Sequence, residues 1–259
     1  MQLLSRLRDR SKFTGGEGST LASAGWLAFF FIVAVTGGPA WTQSLSVMPV
    51  TIQLLPAQKT TTLTVANSGE TDTSIQVRAY TWSQPGGSDQ LLASDGILVS
   101  PPLATIAPGG KQIIRLVLRR QPKEQEDTYR ILLDQIPPPA VPGVVRVVLR
   151  MSIPIFAEPK EHASSRVSFR VERRAAKMYL MATNEGISHE TIHSLDLRTH
   201  GGLKLKTDFD GSQYVLAGAT RRWLISAQDS PILPGEVLRL TAITLAGPIQ
   251  QQVHLIDTP

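Results

Sequence analysis

One segment of the sequence carries residues that could do metal-dependent chemistry. His189-Glu190-Thr191-Ile192-His193 satisfies the H-E-x-x-H pattern, in which two histidines one helical turn apart bind zinc and the glutamate acts as a base. A helix is not favoured here, because Asn184-Glu185-Gly186 is turn-like and Ser194 to Leu197 alternates like a strand. On a strand the two histidines would lie ~13 Å apart at ~3.3 Å per residue, too far for one zinc ion. We therefore predict no metal site.

A second short pattern resembles a phosphate-binding loop. Gly109-Gly110-Lys111-Gln112 has the glycines and the lysine, but Gln112 stands where Ser or Thr is required and Thr105 stands where the earlier glycine belongs. The chain has no cysteine, and no G-x-S-x-G element offers an activated serine. The sequence thus predicts no catalytic residue, no cofactor and no small-molecule substrate.

The elements that must position these residues read as strands throughout. From Ser44 to Phe156, segments that alternate or are rich in β-branched residues are separated by Gly, Pro and Asn turns. Seven strands in ~110 residues are typical of an immunoglobulin-like sandwich. The predicted strands are Leu45–Leu55, Thr60–Ala66, Ser74–Trp82, Ile97–Ser100, Lys111–Arg119, Tyr129–Ile136 and Val144–Phe156.

A polar linker around Glu158 to Glu161 separates this half from a second β-rich segment. Its predicted strands are Val167–Val171, Met178–Thr183, Ile192–Leu197, Tyr214–Ala217, Arg221–Ala227, Val237–Leu245 and Gln251–Ile256. Almost no helical periodicity is present after the first forty residues. The fold class is therefore all-β, with two sandwich domains at residues 43–158 and 159–259.

The first 42 residues are typical of an export signal. A basic start precedes the apolar run Leu21–Thr36 and the small residues Gly37, Gly38 and Ala40. This run of 16 residues is shorter than the ~20 that span a bilayer, so an uncleaved anchor is the less favoured alternative. Cleavage removes four positive and two negative side chains, which leaves +3 of the net +5. We expect no stable membrane insertion afterwards and no nucleic-acid partner, because no basic block occurs.

The stretch Val144–Phe156 is unusually long and apolar for a strand. Its alternate residues share one face, whereas the other face mixes valines with Arg146, Arg150 and Ser152. It is about twice the usual strand length of roughly 5–6 residues. The face consists of Val145, Val147, Leu149, Met151, Ile153 and Ile155. Such a strand indicates a partner beyond its own domain.

Several ordered motifs resemble the periplasmic chaperones of the chaperone–usher pilus pathway, the PapD-like family. They are Val47–Leu54, Leu63-Thr64-Val65-Ala66-Asn67, Ser100-Pro101-Pro102, Ile106-Ala107-Pro108-Gly109, Gln112–Leu116, Tyr129-Arg130, Ile136-Pro137 and Ile153–Phe156. The similarity is strong over residues 45–158 and weaker beyond them, where Asn184-Glu185-Gly186 is the clearest match. Val47-Met48-Pro49-Val50 and the Tyr129-Arg130 stretch are similar to the archaic, Csu-like branch.

This resemblance implies a boomerang of two immunoglobulin-like domains that works in the periplasm. Such a chaperone lends a strand to a pilus or fimbrial subunit that lacks one of its own, and then delivers it to an outer-membrane usher; the strand lending is a form of β-augmentation. By position, Val145, Val147 and Leu149 are the donor side chains, with Met151 as a fourth. The alternative is that these four residues face their own core.

The resemblance also implies a basic site for the subunit's C-terminal carboxylate. In the best-known branch a first-strand arginine and a late donor-strand lysine bind it, but the corresponding positions here are Thr51 and Pro154, which carry no charge. Another arginine must therefore serve, and Arg130 is the first candidate, followed by Arg115 and Arg150. Each of these could instead form an internal ion pair or lie on a solvated face.

Two other functions compete with a non-enzymatic pilus chaperone. One is a secreted or surface-bound two-domain binding protein that keeps the sandwiches but lends no strand. The other is a zinc peptidase built on His189, Glu190 and His193. A co-purifying small exported subunit would indicate the chaperone, retention in the envelope the binding protein, and bound zinc the peptidase.

Overall fold

The computed structural model describes residues 45–140, 142–143, 145, 147–159, 163–174, 177–210, 214–226, 232 and 235–257. The expected export signal at residues 1–42 lies outside them, as do Val144 and Arg146. The all-β expectation is confirmed, since the described residues form eighteen strands and a short 3₁₀ turn at Pro85–Gly87. Within these residues no helix is both long enough and apolar enough to cross a bilayer.

Ten strands precede the linker, and every strand predicted for this half has a counterpart in the structure. They are β1 (Leu45–Met48), β2 (Ile52–Leu54), β3 (Thr60–Asn67), β4 (Thr73–Ser83), β5 (Gln90–Ala93), β6 (Ile97–Ser100), β7 (Leu103–Ile106), β8 (Lys111–Leu118), β9 (Asp127–Ile136) and β10 (Arg150–Ala157). One sheet has the order β1-β3-β8-β6, and the other β2-β10-β9-β4-β5 with β7 also on β4.

Alternating side chains of the two sheets share one apolar core, so they form a sandwich. Leu63 and Ile114 from the first sheet are fully buried with Ile75, Ile131 and Ile155 from the second. Each such side chain contributes roughly 1.5–3 kcal/mol when it is removed from water. The opposite face of β9 carries Arg130, Leu132 and Asp134, which lie outside this core.

The predicted first strand, Leu45–Leu55, is wrong as a single element, because it divides between the two sheets. β1 pairs antiparallel with β3, whereas β2 pairs parallel with β10. Between them Pro49 lacks the backbone N–H that a continuous ladder needs. The chain can therefore leave one sheet and enter the other at this point.

The predicted long strand, Val144–Phe156, is also shorter than expected. β10 begins at Arg150, opposite Asp134 of β9, and the described residues Val145 and Val147 to Leu149 precede it without strand structure. The partner strand explains this, since β9 ends at Ile136 and Pro137-Pro138-Pro139 follow. Because proline has no N–H to donate, β9 cannot be extended as a partner for Val145 and Val147.

Eight strands follow the linker and form one connected sheet around a second core. They are β11 (Val167–Arg174), β12 (Lys177–Asn184), β13 (Glu190–Arg198), β14 (Lys204–Thr207), β15 (Tyr214–Val215), β16 (Thr220–Ser226), β17 (Val237–Thr244) and β18 (Gly247–Asp257). β14 pairs with both β16 and β13, so seven of the strands close into a ring, with β15 added on β13. Phe169, Leu180 and Leu240 are among its buried side chains.

Both halves end a strand with the same asparagine turn. Asn67 closes β3 and Asn184 closes β12, and each side chain ties the following turn to a neighbouring strand or loop. The Asn67 amide donates to the carbonyls of Thr71 and Ile106, at 2.8 and 2.9 Å, and its oxygen accepts the N–H of Gly69. The Asn184 amide donates to the carbonyls of Ser188 and Val215, at 2.8 and 3.1 Å, and its oxygen accepts the N–H groups of Gly186 and Arg166.

The second turn admits only glycine at position 186. A Cβ there would lie 2.3 Å from the carbonyl oxygen of Ser164 and 2.6 Å from the nitrogen of Arg166, and both are backbone atoms. We predict that Gly186→Ala destabilises the protein by about 1–3 kcal/mol, since these atoms must move. Urea unfolding measures the change. Gly201→Ala is the matched control, because the nearest atom is 3.9 Å away, and equal losses for both variants would contradict the prediction.

Candidate functional site

The segment before β10 leaves large apolar side chains in water. Val145 is 95% exposed and Val147 is 79% exposed, whereas Ile153 and Ile155 further along the same row are buried. Leu149 is partly exposed, and Met151 packs against the sandwich core. Contiguous exposed apolar residues of this kind usually mark an interaction site.

Gln135 holds the point where this segment joins the sheet. Its backbone N–H donates to the carbonyl of Leu149 at 2.9 Å, and the N–H of Leu149 donates to the side-chain oxygen of Gln135 at 3.3 Å. A side-chain acceptor therefore takes a position that a backbone carbonyl occupies in a regular ladder. Leu149 is therefore the residue at which the chain leaves the exposed segment and joins the sheet.

Arg150, the third candidate anchor, already has an anionic partner. It forms an ion pair with Asp134, which also accepts from Arg78 at 2.5 Å. Burial alone would raise the pKa of Asp134, but the hydrogen bonds from Arg150 and Arg78 outweigh it and lower the pKa. The carboxylate of a ligand would have to compete with this pair for Arg150.

Arg115, the second candidate, lies on the other sheet. It is exposed on β8, with Thr62 and Ser100 as its neighbours across the strands. Within the described part of the chain it has no ion pair. The structure therefore does not bring it together with Arg130, which lies on the sheet that contains β10.

Arg130, the first candidate, is held by aromatic rings. Its guanidinium carbon lies 3.8 Å from the ring centre of Trp82 and 5.5 Å from that of Tyr214. Among the described residues no hydrogen bond or ion pair engages it. Burial lowers the pKa of Arg130, although an arginine stays charged at any physiological pH. Pro154, where the resemblance places a lysine in other chaperones, lies directly across the ladder from Arg130.

An aromatic cluster surrounds this guanidinium and contains residues from both halves of the chain. Trp82 and Phe156 come from the first sandwich, and Tyr214 and Leu216 from the second domain. The ring centres of Trp82 and Tyr214 are 5.5 Å apart and edge-on, and those of Phe156 and Tyr214 are 5.3 Å apart. The site of Arg130 is therefore made by two domains.

A second arginine, Arg221 of β16, belongs to the same region and was not foreseen from the sequence. Its Nη1 donates to Asp89 at 2.7 Å, and its buried Nε has no partner among the described residues. Asp89 also accepts from Trp82 at 3.0 Å and from Gln84 at 2.9 Å. Arg221 stands in a strand beside Arg222, a pattern that gives no sign of burial. Only the tertiary structure identifies it.

The glycine pair of the phosphate-like loop forms a tight turn. Gly109 donates its N–H to the carbonyl of Asn67, and Asn67 donates to the carbonyl of Gly110. A Cβ on Gly110 would lie 2.8 Å from the carbonyl oxygen of Ala107. These glycines therefore serve close backbone packing between the end of β3 and the start of β8.

The H-E-x-x-H segment is extended, as predicted. His189 directly precedes β13, and Glu190 begins that strand. The Glu190 carboxylate accepts from Ser165 at 2.6 Å and from the N–H of Thr191 at 2.9 Å, whereas His193 is exposed. Nowhere in the described ranges do three His, Asp or Glu side chains group as metal ligands would. The zinc peptidase interpretation lacks the helix it requires.

Residues 44–163 match the family model of the pili and flagellar-assembly chaperones, PapD N-terminal domain. The match covers 120 of the 259 residues and includes the whole first sandwich. Pilus assembly chaperones are not enzymes, and the matched residues contain both the exposed segment and Arg130. No curated protein is similar enough in sequence to count as a relative.

Solved structures of pilus chaperones share the fold over both domains. The CsuC–CsuE chaperone–tip adhesion subunit pre-assembly complex of Acinetobacter baumannii has 22% identity and a TM-score of 0.63, over 83% of this chain and 100% of that one. The YadV chaperone has 16% identity and a TM-score of 0.58, over 82% and 99%. The SafB chaperone of Salmonella enterica, solved with the SafA pilin, has 16% identity and a TM-score of 0.56, over 81% and 96%. The two-domain chaperone fold is thereby established.

We predict that Asp89 stabilises the protein in a pH-dependent way. Burial would raise the pKa of Asp89, but hydrogen bonds from Gln84, Trp82 and Arg221 outweigh it and lower the pKa. The contribution of a carboxyl with a lowered pKa is complete above the unfolded value of about 3.9 and is lost as pH falls through the folded value. Asp89→Asn should therefore lower the free energy of unfolding most at neutral pH.

Urea unfolding between about pH 6 and pH 3 tests this pH dependence. The difference between the wild type and Asp89→Asn should shrink toward acid pH. Asp95→Asn is the control, because Asp95 pairs with Arg119 on the surface and is 81% exposed. A difference for Asp89→Asn that stays constant over the pH range would contradict the prediction.

Proposed function

We propose that this protein is a periplasmic chaperone that binds and caps pilus or fimbrial subunits by donating a strand, and delivers them to an outer-membrane usher. The observation that carries the proposal is the row of apolar side chains that continues from β10 into water. The first residues of the row, Val145 and Val147, are exposed, and the last, Ile153 and Ile155, are in the core. One face of this segment thus ends in the protein's own core. In the proposal, its exposed beginning enters the core of the bound subunit.

Strand donation would use Val145, Val147 and Leu149 as the inserted side chains. A subunit that lacks one strand of its sandwich presents a groove with unpaired backbone groups, and the segment at 145–149 supplies both apolar side chains and hydrogen-bond partners. Full burial of each side chain would contribute roughly 1.5–3 kcal/mol. Met151 already packs on its own core, so it marks the boundary between the two cores and would contribute least.

Arg130 would bind the C-terminal carboxylate of the subunit. Its guanidinium is partly buried and forms no hydrogen bond or ion pair among the described residues, although the Asp89 carboxylate acts on it electrostatically. A carboxylate would therefore gain a bidentate, charge-assisted contact in an environment of low dielectric. Arg150 is paired with Asp134, and Arg115 is exposed on the other sheet. The burial and the missing ion pair together favour Arg130 over both.

The start of the sequence supports work in the periplasm, because the first 42 residues are typical of a cleaved export signal. The chain has no cysteine, so without disulfides its stability depends on the two hydrophobic cores. Release would occur by exchange, when the next subunit's N-terminal extension replaces the donated segment. The chaperones solved with CsuE and with the SafA pilin are precedents for the subunit partner.

The donor segment is tested by placing a charge in it. Val147→Asp and Leu149→Asp should abolish recovery of a stoichiometric small exported subunit with the tagged chaperone, because a buried unpaired carboxylate costs several kcal/mol. The chaperone itself should unfold at an unchanged temperature. Leu103→Asp is the control, since Leu103 is exposed on β7. If both variants unfold the first domain, these residues belong to its own core. If the wild-type protein stays with the envelope and brings down no subunit, the surface-binding alternative is favoured.

The anchor is tested in the same recovery assay. Arg130→Ala should abolish subunit capture, whereas the chaperone itself should stay folded and lose only the stabilisation of the stack on Trp82, because Arg130 has no ion pair within the described residues. Arg115→Ala is the matched control and should leave capture intact. Capture that survives Arg130→Ala would move the anchor to another cation, with Arg221 the first to examine.

A further inference from the structure

Gln135 supplies a side-chain acceptor at the last rung of the β9–β10 ladder. The two strands pair in regular antiparallel register up to Arg150, which lies opposite Asp134. In such a ladder every second residue pair exchanges two backbone hydrogen bonds. In the next pair, Gln135 donates its backbone N–H to the carbonyl of Leu149 at 2.9 Å, but the N–H of Leu149 donates to the Gln135 side-chain oxygen at 3.3 Å. The ladder thus ends on a side chain.

The Gln135 side chain is buried on the core-facing side of β9. Gln135 is 5% exposed and lies on the same face of the strand as the core residues Ile131 and Leu133. A buried amide is costly unless its polar atoms are hydrogen-bonded, whereas an apolar side chain of the same size would fill this place without that requirement. What the amide adds here is the acceptor for the Leu149 N–H. The hydrogen bond, and not burial alone, therefore distinguishes this residue.

The capped N–H lies on the edge of the segment that faces β9. Backbone groups of alternate residues point to the same side of an extended strand, so Val147 and Val145 would direct theirs to this edge as well. β9 offers them no partner, because it ends at Ile136 and three prolines follow. On this edge Val147 is therefore the first residue open to a strand of another protein.

Apolar periodicity by itself leaves the register of a donated segment open. A shift by one residue would turn every donor side chain to the wrong face, but a shift by two residues keeps all of them on the right face. A subunit strand that advanced by two residues would pair with Leu149 and leave Val145 outside the subunit's groove. A cap on the N–H of Leu149 blocks this shift.

We infer that Gln135 is a register-setting residue for strand donation, because it ends the protein's own ladder at Leu149 and makes Val147 the first rung for the subunit's strand. The inference rests on the proposed function for the identity of the incoming strand. The cap itself belongs to the free protein and is measured there.

Amide hydrogen exchange of the whole free protein, followed by nuclear magnetic resonance, tests the cap. Gln135→Met keeps the length of the side chain but removes the oxygen acceptor, so the Leu149 N–H should exchange about tenfold faster. The N–H of Ile153, further along β10 and directed to the same strand, is the internal reference, since global destabilisation would accelerate both. An unchanged ratio of the Leu149 and Ile153 rates in Gln135→Met would overturn the inference.

The chain offers a matched control for the loss of a strand glutamine. Gln112 lies on β8, and its side-chain amide donates to the carbonyl of Ile113 on its own strand at 2.8 Å. Gln112→Met removes an amide of the same size far from the donor segment. The ratio of the Leu149 and Ile153 exchange rates should stay as in the wild type, and an equal change in this variant would overturn the inference.

The register itself is tested by a comparison of double variants in the subunit recovery assay. Val145→Asp should lower capture at least about tenfold, because the charge enters the subunit's groove. In the Gln135→Met background the same substitution should lower capture at most about threefold, because a shift by two residues moves position 145 out of the groove. In the Gln112→Met background the full loss should remain. An equal loss in the wild-type and Gln135→Met backgrounds would overturn the role in register.

The two measurements separate failure of this inference from failure of the proposed function. If the wild type captures no subunit, the proposed function fails and the register role with it, while the exchange ratio still shows that the Leu149 N–H is capped. If the wild type captures a subunit and Val145→Asp has the same effect with and without the Gln135 amide, strand donation stands and the register role alone fails.

Discussion

The end of the β9–β10 ladder is the constraint on which the proposed function depends. Three prolines follow β9, and because they have no N–H to donate, β9 cannot continue as a partner for the segment before Leu149. Val145 and Val147 are exposed and have neither a ladder nor a core of their own. A strand segment that is excluded from its own sheet and still carries valines at every second position is suited to another protein's sheet.

The second constraint is electrostatic. Arg130 is partly desolvated and stacked on Trp82, and such a contact contributes up to ~2 kcal/mol when water is excluded. A stack on an aromatic ring is weaker than an ion pair with good geometry. Because no internal ion pair holds Arg130 among the described residues, the carboxylate of a ligand would not have to displace one. Arg221 differs, because Asp89 already occupies it. The same small region thus holds one engaged and one available cation, both supplied by strands whose sequence gives no hint of the difference.

Alternation of apolar residues was sufficient to predict the all-β class and a counterpart for every predicted strand, because burial of one face follows a period of two. It failed where burial is absent. β5 is exposed along its whole length, and β7 and β14 are short, so these three strands have weak patterns. The start of β10 was misplaced because the alternating pattern describes side chains only. The strand itself begins where the backbone of β9 is able to pair with it.

The site itself was only partly predictable. The segment with Val145, Val147 and Leu149 was found from its apolar period, and Arg130 from a resemblance. Arg221 was missed, because its contact with Asp89 joins residues that are 132 positions apart. No local sequence pattern reports a contact over such a separation.

The closed sheet of the second domain has a consequence for specificity. Seven of its strands form a ring, and β15 is added outside it on β13, so little free backbone edge is left there for a foreign strand. Strand addition, the usual route to aggregation in β proteins, is thus favoured at the open sheets of the first sandwich. A protein with one receptive half and one nearly closed half can hold an apolar partner without joining copies of itself through the other half.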